Sequence, residues 1–214
     1  MIPTTFQETT WLGKFGDDYE YRAPHTIEQM NELTFSLIGT NRTSINNRFL
    51  HDAEIDSILE IGCGNGNQLA LLDTMGFKNL YGVEIREIAI DNALERNNIK
   101  IIEANASNLP FDDCSFDMVF TSGLLIHISP SLLPKVMDEM YRCAKKYIWG
   151  MEYYHPNLIS IDYRGHDDLL WKGNYHELFM ERHSDLKLSK IQLFPYINNP
   201  NNIDMMYLLE KPGA

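Results

Sequence analysis

Basic residues and cysteines are both scarce in this sequence. Its 214 residues include 18 lysines and arginines against 30 aspartates and glutamates, which gives a formal net charge of −12. A protein that binds nucleic acid generally needs cationic side chains to neutralise phosphates. The composition therefore argues against a general nucleic-acid-binding protein, although it leaves room for a small RNA target.

The few cysteines also exclude some kinds of site. Cys63, Cys114 and Cys143 are an odd number and show no C-x-x-C spacing, which argues against a disulfide framework and a zinc site and favours a reducing compartment. No apolar run is long enough to cross a bilayer, and residues 1–6 lack the basic and apolar regions of a signal peptide. We therefore expect a cytoplasmic protein with no membrane partner and no metal dependence.

The most informative stretch joins an apolar run to a glycine-rich turn. Ile58–Ile61 is apolar apart from Glu60, and glycines follow at alternate positions: Gly62, Gly64 and Gly66. Glycine has no Cβ and tolerates positive φ, so such a turn lets the backbone approach a ligand closely. The N–H groups at the start of a following helix point into the same space. The pattern predicts the nucleotide-binding loop of a Rossmann-like sheet; the alternative is a tight βα turn that binds nothing.

A second acidic residue supports the nucleotide-binding interpretation. Glu84 ends the next apolar run, Leu80–Glu84, about 20 residues after the glycines, where an acid can accept hydrogen bonds from ribose hydroxyls. Ile85 follows and could pack against an adenine ring. The spacing E-x-G-x-G-x-G differs from the G-x-G-x-x-G of dinucleotide enzymes, which argues against an NAD-dependent oxidoreductase.

The remaining apolar runs complete a sheet. We expect three more parallel strands, at 99–103, 116–123 and 146–152, and two last strands, at 187–194 and 204–209, on either side of an Asn/Pro turn. Helical segments separate the parallel strands. The order predicts an α/β fold, a Rossmann-like, doubly wound, mostly parallel sheet that ends in a C-terminal antiparallel hairpin. The chain length suits one domain.

Residues 1–50 precede the sheet and concentrate aromatic and charged side chains between Trp11 and Arg22. Thr26 can cap a helix that carries apolar residues at helical spacing: Met30, Leu33 and Leu37. One interpretation is a helical flap on the domain edge. The sharper interpretation is a lid over a cofactor that is bound by residues 51–214.

Two regions after the glycine loop are candidates for acceptor chemistry. His127 lies among apolar residues just past the fourth strand, where a histidine is often only a core residue. Segment 153–185 follows the fifth strand and is rich in aromatic and cationic groups without a clean period. We interpret it as an insertion over the ligand edge, with rings for stacking and Arg164 and Lys172 to hold an anion. The alternative is a folded loop stabilised by its own aromatic residues.

With these residues in hand, the chain resembles class I methyltransferases that use S-adenosyl-L-methionine (SAM). It resembles more narrowly the small methyltransferases encoded with pseudaminic-acid and related bacterial surface-sugar pathways. The narrower likeness lies in W-x-G-x-F-G-x-x-Y-x-x-R at 11–22, in Glu60–Gly66, in Leu125–Ile128, and in Y-x-G-H with L-W-K at 163–172. Ala23 departs from the pattern, where asparagine is expected.

The resemblance implies SAM as cofactor and a small polar acceptor, methylated on oxygen or nitrogen, such as a sugar, nucleotide-sugar or phosphorylated intermediate of surface-glycan biosynthesis. The cofactor-binding residues expected on this basis are Trp11, Tyr19, Arg22, Glu60, Gly62, Gly64, Asn65, Gly66, Glu84, Ile85, Asn105, Ala106, Ser122 and Gly123. The expected acceptor-binding residues are Tyr154, Tyr163, Arg164, His166, Trp171 and Lys172.

Three roles follow from the resemblance and the residue chemistry. His127 is expected to act as a base or as an orienting group, because its ordinary pKa lies near neutrality. Arg22 is expected to pair with the SAM carboxylate. Asn105 stands where aspartate is common, and its amide oxygen can accept the same hydrogen bond from the adenine amino group. An RNA or protein methyltransferase, an NAD-dependent oxidoreductase and a SAM-binding protein without turnover stay open as alternatives.

Overall fold

A computed structural model describes residues 5–94 and 99–213. Its centre is a seven-stranded sheet in the order β3-β2-β1-β4-β5-β9-β8. The five parallel strands are β1 (Ile58–Ile61), β2 (Leu80–Glu84), β3 (Ile99–Glu103), β4 (Phe116–Ser122) and β5 (Ala144–Tyr153). The antiparallel hairpin of β8 (Lys187–Tyr196) and β9 (Asn199–Glu210) joins the sheet beside β5. The predicted fold class is confirmed.

Helices precede the sheet and cover both of its faces. Four of them come before β1: α1 (Phe6–Trp11), α2 (Lys14–Glu20), α3 (Ile27–Ile38) and α4 (Arg42–Leu50). The others are α5 (Asn67–Thr74), α6 (Glu87–Leu94), α7 (Leu133–Cys143) and α8 (Tyr175–Arg182). Among the residues that the structure describes, no helix is long and apolar enough to cross a membrane.

Two hydrophobic cores lie on opposite faces of the sheet, because successive strand side chains alternate between the faces. Leu59 and Ile61 of β1 pack in the core that holds α7 and α8, whereas Ile58 packs in the core that holds α4 and α5. Strand β9 alternates in the same way along its buried residues. All four residues of β1 are buried, as expected of a parallel strand covered on both faces.

Local sequence signals account for several helix ends. Thr26 caps α3, and Gln29 completes a capping box with it, which satisfies backbone N–H groups at the helix start. Gly76 has a φ of +100° where the chain leaves α5, a conformation in which glycine commonly ends a helix. The helical segment expected between the second and third strands is α6, and residues 95–98 after it lie outside the described residues.

The structure differs from the sequence prediction after β5. Segment 153–185 contains a small antiparallel sheet, β6 (Ile159–Ser160) with β7 (Trp171–Lys172), followed by α8. The prediction missed α8 because only one side of this short helix is buried and most of its residues are polar or aromatic. The final hairpin also turns earlier than expected, since β9 already begins at Asn199.

Candidate active site

The glycine loop between β1 and α5 has the backbone geometry that its sequence predicts. Gly62, Gly64 and Gly66 have φ angles of +68°, +53° and +74°. Residues with a Cβ rarely adopt this backbone conformation. A Cβ on Gly62 would lie 2.7 Å from Cδ1 of Leu124. The loop therefore brings bare backbone to the carboxyl end of the sheet.

A cavity of about 360 Å³ opens at this end of the sheet. Most of the predicted cofactor-binding residues line it: Trp11, Tyr19, Glu60, Gly62, Gly64, Asn65, Glu84, Ile85, Asn105, Ala106, Ser122 and Gly123. Gly66 is the N-cap of α5 and lies outside this lining. His127 lines the same cavity. Parallel strands bring these residues together, because their carboxyl ends meet at one edge.

The structure does not bring Arg22 into the cavity. Its side chain is exposed just after α2 and is not part of the cavity lining. A different cation, Arg42 at the start of α4, is buried in the lining. The sequence around Arg42 carries no motif that marks it, because its position depends on how α4 packs on the sheet.

Glu84 is held at the end of β2 by backbone donors. Its Oε2 accepts from the N–H of Gly64 at 2.9 Å, and its Oε1 accepts from those of Ile85 at 2.9 Å and Arg86 at 3.1 Å. These bonds orient the carboxylate toward the glycine loop. The predicted position of a ribose-binding acid is therefore occupied by a rigidly held carboxylate.

Arg86 is a cavity residue that the sequence analysis missed. Its guanidinium is buried between Glu84, at 3.3 Å from Nε, and Glu20 of α2, at 3.3 Å from Nη1. It also lies 5.8 Å from the centroid of the Trp11 ring and 5.5 Å from that of Tyr19. Arg86 thus connects Glu20 of α2 to Glu84, the acid that is predicted to bind ribose.

Asn105 has its hydrogen-bonding groups already engaged. Its Oδ1 accepts from the N–H and the hydroxyl of Ser107, both at 2.8 Å, and its Nδ2 donates to Glu8 of α1. A carbonyl oxygen offers two lone pairs, so these bonds compete with the predicted adenine contact. The Glu8 carboxylate lines the cavity beside Asn105 and is a second acceptor that sequence reasoning did not identify.

His127 is partly buried at the end of a one-turn 3-10 helix, Leu125–His127, that follows β4. Its Nδ1 lies 2.7 Å from the carbonyl oxygen of Leu169. Because a carbonyl can only accept, Nδ1 carries the proton of a neutral ring and Nε2 keeps a lone pair. Burial lowers the pKa of His127 to about 4, so the ring is neutral at physiological pH.

Apart from Tyr153, which ends β5 and lines the cavity, the predicted insertion contributes no residue to the cavity lining, and its residues Tyr163 and His166 pack against the N-terminal helices. Tyr163 lies 5.8 Å from Phe15 and 5.3 Å from His127, and His166 lies 5.5 Å from Phe15, all between ring centroids. None of the six predicted acceptor-binding residues is in the cavity lining: Tyr154, Tyr163, Arg164, His166, Trp171 and Lys172. Arg164 is exposed. The rings of Tyr163 and His166 therefore pack against the N-terminal helices and His127, outside the cavity lining.

We call the part of the cavity that is lined by residues of α3, β5 and the C-terminal hairpin its second lobe. Its polar side is formed by Tyr153, Tyr196 and Asp204, and apolar side chains of α3 line the other side: Met30, Leu33, Leu37 and Ile38. The Tyr196 hydroxyl donates to Asp204 at 3.1 Å, and burial raises the pKa of Asp204 to about 6. The available sequence signal was an aspartate beside the apolar run of β9, Met205–Leu209.

The residues present fit SAM. An adenosine needs a close backbone turn and a ribose-binding acid, which the glycine loop and Glu84 provide. An amino-acid end needs partners of both signs, and the lining contains a buried Glu60, whose Oε2 has no partner among the described residues, and a buried Arg42. The site therefore has the donor and acceptor set of a SAM-binding Rossmann-like protein.

Comparison with known proteins agrees with this class. Residues 58–147 match a family model described as a methyltransferase domain. A protein of Encephalitozoon cuniculi named as a methyltransferase is 26% identical over 141 residues, which cover 62% of this chain and 64% of that protein. Three curated relatives match this chain over 131 to 141 residues. The match covers between 21% and 64% of the relatives' own lengths.

Solved structures with the same fold cover most of the chain. A SAM-dependent methyltransferase of Methanosarcina mazei has a TM-score of 0.62 at 18% identity, over 78% of this chain and 96% of that one. A chain from the complex between the Haloferax volcanii Trm112 methyltransferase activator and a methyltransferase has a TM-score of 0.69 at 16% identity, over 92% and 96%. At these identities the likeness establishes the fold. Residues 58–147 thus match a methyltransferase domain, and SAM is the cofactor that these comparisons support.

Proposed function

We propose that this protein is a SAM-dependent methyltransferase that acts on an oxygen or nitrogen of a small polar acceptor. The observation that carries the proposal is the continuity of one cavity: the lobe lined by the glycine loop and Glu84 joins the lobe lined by Tyr153, Tyr196 and Asp204. One lobe suits the cofactor and the other suits an acceptor beside it.

The protein contributes mainly positioning to such a reaction. When bound, SAM supplies a methyl group on a sulfonium, and transfer to an acceptor leaves the carbon–sulfur electron pair on sulfur. The glycine loop and Glu84 hold the adenosine, and the second lobe orients the acceptor. Alignment of two reactants in this way can supply roughly 7–11 kcal/mol of barrier reduction.

His127 orients the acceptor in this proposal more than it removes a proton. Its Nε2 lone pair is available to accept a hydrogen bond, but a pKa of about 4 makes the ring a weak base near neutral pH. Asp204 has a pKa of about 6 and is the stronger base of the two. The acceptor proton therefore passes to Asp204 or to water in this mechanism.

The acceptor lobe is lined by both polar and apolar side chains, which suits a small molecule with a polar group and an apolar body. An ionised, buried Asp204 favours an acceptor that donates a hydrogen bond from an amine or hydroxyl. The apolar side of α3 would pack against the acceptor body. We retain an intermediate of bacterial surface-glycan biosynthesis as the acceptor class, which rests on the sequence resemblance. Since Arg164 and Lys172 lie outside the lining, the anion-holding role proposed for them has no support from the cavity.

The proposal is tested with methyl-labelled SAM, the purified protein and a fractionated extract of the host cell. We expect label in the low-molecular-weight pool, and loss of at least about tenfold in labelling for Asp204→Asn, because a hydrogen bond to a charged group contributes about 1.5–3 kcal/mol. Asp112→Asn is the matched control, since Asp112 is exposed and outside the cavity lining. Label found only in RNA or protein would contradict the small-molecule acceptor.

A further inference from the structure

We infer that the methyl acceptor is an amine without a phosphate group, and that Asp204, Tyr153 and Tyr196 bind it in the second lobe. The inference rests on the proposed function and deepens it, because it names the chemical class of the acceptor for that same site. Three features of the cavity support it: the sign of its charges, the polar group in the second lobe, and the weakness of the nearby bases.

Acidic side chains dominate the cavity. Six carboxylic acids line it: Glu8, Glu20, Glu60, Glu84, Glu152 and Asp204. Among the described residues of the lining, two arginines and no lysine oppose them. Burial raises the pKa of Glu60 well above its ordinary value and that of Glu152 to about 7, yet the other four acids still outnumber the two guanidinium groups. Like charges repel, so the cavity disfavours a phosphorylated or nucleotide-linked acceptor and favours a neutral or cationic one.

Both of these arginines already face carboxylates. Arg86 forms ion pairs at 3.3 Å with Glu20 and with Glu84. Burial lowers the pKa of Arg42, whereas three nearby acids raise it, Asp204 the most. A phosphate beside either arginine would therefore lie close to buried carboxylates as well, and neither arginine makes the cavity an anion site.

Asp204 and two tyrosines form a group that suits an amine. The Asp204 carboxylate is 9% exposed and accepts from the Tyr196 hydroxyl at 3.1 Å. The rings of Tyr153 and Tyr196 meet edge to face, at 86° with 6.4 Å between their centroids. A carboxylate accepts hydrogen bonds from N–H groups, and the faces of aromatic rings attract cations. The second lobe can therefore bind an amine as it arrives, with or without its extra proton.

Lys172 shows that this environment accommodates an ammonium group. Its Nζ lies 5.9 Å from the centroid of the Tyr153 ring and donates to Asn202 at 2.6 Å. Burial lowers the pKa of Lys172, and the charge of Asp204 raises it. Lys172 lies outside the cavity lining, whereas Tyr153 and Asp204 belong to it, so a second amine can reach these two residues from the cavity.

The bases near the acceptor are weak, which favours an amine over an aliphatic hydroxyl. His127 has a pKa of about 4 and Asp204 a pKa of about 6. A hydroxyl benefits from a base that takes its proton during transfer, whereas a neutral amine has a lone pair of its own. A bound ammonium loses its proton to Asp204 or to water more easily beside the positive sulfonium of SAM, because like charges repel.

The transfer forms one bond and breaks one. The amine nitrogen bonds to the methyl carbon as the carbon–sulfur bond breaks, and the electron pair of that bond goes to sulfur. The nitrogen keeps its hydrogens and takes the positive charge, so the product leaves as a methylammonium and no strong base is required.

Acetylation of the host extract tests the acceptor class. Acetic anhydride at neutral pH blocks amines, and hydroxylamine then restores any acetylated hydroxyls. With the purified protein and methyl-labelled SAM, we expect the acetylated low-molecular-weight fraction to lose nearly all of the label that a mock-treated fraction takes up. A mixture of the two fractions should still be labelled, which excludes a residual inhibitor. Phosphatase treatment is the matched control and should leave labelling unchanged.

The outcomes separate this inference from the proposed function. Label that survives acetylation, or that phosphatase abolishes, would overturn the amine assignment and leave the small-molecule methyltransferase in place. If no label enters even the mock-treated low-molecular-weight fraction, the proposed function itself fails, and the amine assignment fails with it.

Two variants test the second lobe with the mock-treated fraction. For Asp204→Asn we expect labelling to fall by roughly 10- to 100-fold, the range for a hydrogen bond to a charged group. Its affinity for S-adenosylhomocysteine, measured by calorimetry, should change by less than about twofold, which shows that it is folded. Tyr196→Phe keeps the ring and should lose about 2- to 10-fold. Asp112→Asn is again the matched control, and labelling by both variants equal to that of the control would overturn the inference.

Discussion

The imidazole of His127 is enclosed by side chains from the N-terminal helices and the insertion. Its ring centroid lies 4.7 Å from that of Trp11 and 5.3 Å from that of Tyr163, and the Leu169 carbonyl accepts from Nδ1. Removal from water disfavours the charged ring, which is why the pKa falls to about 4. The enclosure determines both the tautomer and the charge of the residue.

This burial predicts a pH effect on stability. Because the folded pKa of about 4 lies below the ordinary value of 6.5, the folded protein binds fewer protons than the unfolded one between these values. The stability contributed by the neutral ring is present above pH 6.5 and is lost as the pH falls toward 4. Between pH 7 and pH 5 we expect a loss of about 2 kcal/mol in the free energy of unfolding from this residue.

Urea unfolding at pH 7 and pH 5 measures the effect against His127→Gln, which can still donate to Leu169. Asp204 and Glu152 have raised pKa values, to about 6 and about 7, and shift stability in the opposite direction. Both are present in the two proteins, so their contribution cancels in the difference. Equal pH dependence in His127→Gln and the unmodified protein would contradict the prediction.

At the scale of elements, α1 and α2 are attached to the domain by polar contacts, of which the one through Arg86 is buried. Arg86 bridges Glu20 of α2 to Glu84 at the end of β2. Glu8 of α1 accepts from Asn105, and Gln7 donates to the Asp168 carbonyl at 2.8 Å. The two helices cover the adenosine side of the cavity. We propose that they act as a lid whose main attachment is Arg86.

Arg86→Met tests this attachment. The change leaves Glu84 and Glu20 buried without their shared cation, and breaking a buried pair by removing one partner costs about 3–5 kcal/mol. We expect faster hydrogen exchange of the amides in α1 and α2, while those of β4 stay protected. Local opening of this kind is what exchange reports.

Lys14→Met is the matched control for the lid. Lys14 lies on α2 and pairs with Asp18 at 2.5 Å, but both side chains are exposed, and exposed pairs contribute about 0–1 kcal/mol. Its exchange pattern should equal that of the unmodified protein. Unchanged protection of α1 and α2 in Arg86→Met would mean that the aromatic contacts with the insertion, and not Arg86, hold the lid.

At the scale of the molecule, the cofactor should stabilise the whole fold, because the residues of its site come from the strands, the glycine loop and the N-terminal helices. A ligand at 100 times its dissociation constant stabilises the folded state by about 2.7 kcal/mol. For a chain of this size that corresponds to roughly 5–11 °C in Tm. We expect this shift in Tm with S-adenosylhomocysteine (SAH), the product form of the cofactor. We expect a much smaller shift for Glu84→Gln, because its side chain lacks the negative charge that strengthens hydrogen bonds from the ribose hydroxyls.

Thermal unfolding with SAH and with NAD in parallel measures this effect. It also separates the methyltransferase from the oxidoreductase alternative, since each cofactor stabilises only a protein that binds it. A shift with NAD and none with SAH would refute the cofactor assignment.

Local sequence patterns were sufficient for most of the sheet and for the backbone geometry of the glycine loop. The strands at 58–61, 80–84 and 99–103 coincide with β1, β2 and β3, because buried parallel strands bounded by turns leave a continuous apolar run. The glycine loop and Glu84 follow from backbone sterics and from their place at strand ends. These features depend on residues that are close in the chain.

Only the tertiary structure decided which charged groups line the cavity and where an acceptor could sit. Arg42, Glu60 and Asp204 come from α4, β1 and β9, and no local pattern links them. The insertion looked like an acceptor site because it is rich in aromatic residues, yet those rings pack against α1 and α2. Strand and turn signals depend on neighbouring residues, so the sequence alone reveals them. The pairing and burial of side chains depend on which distant segments of the chain meet, so only the tertiary structure reveals those.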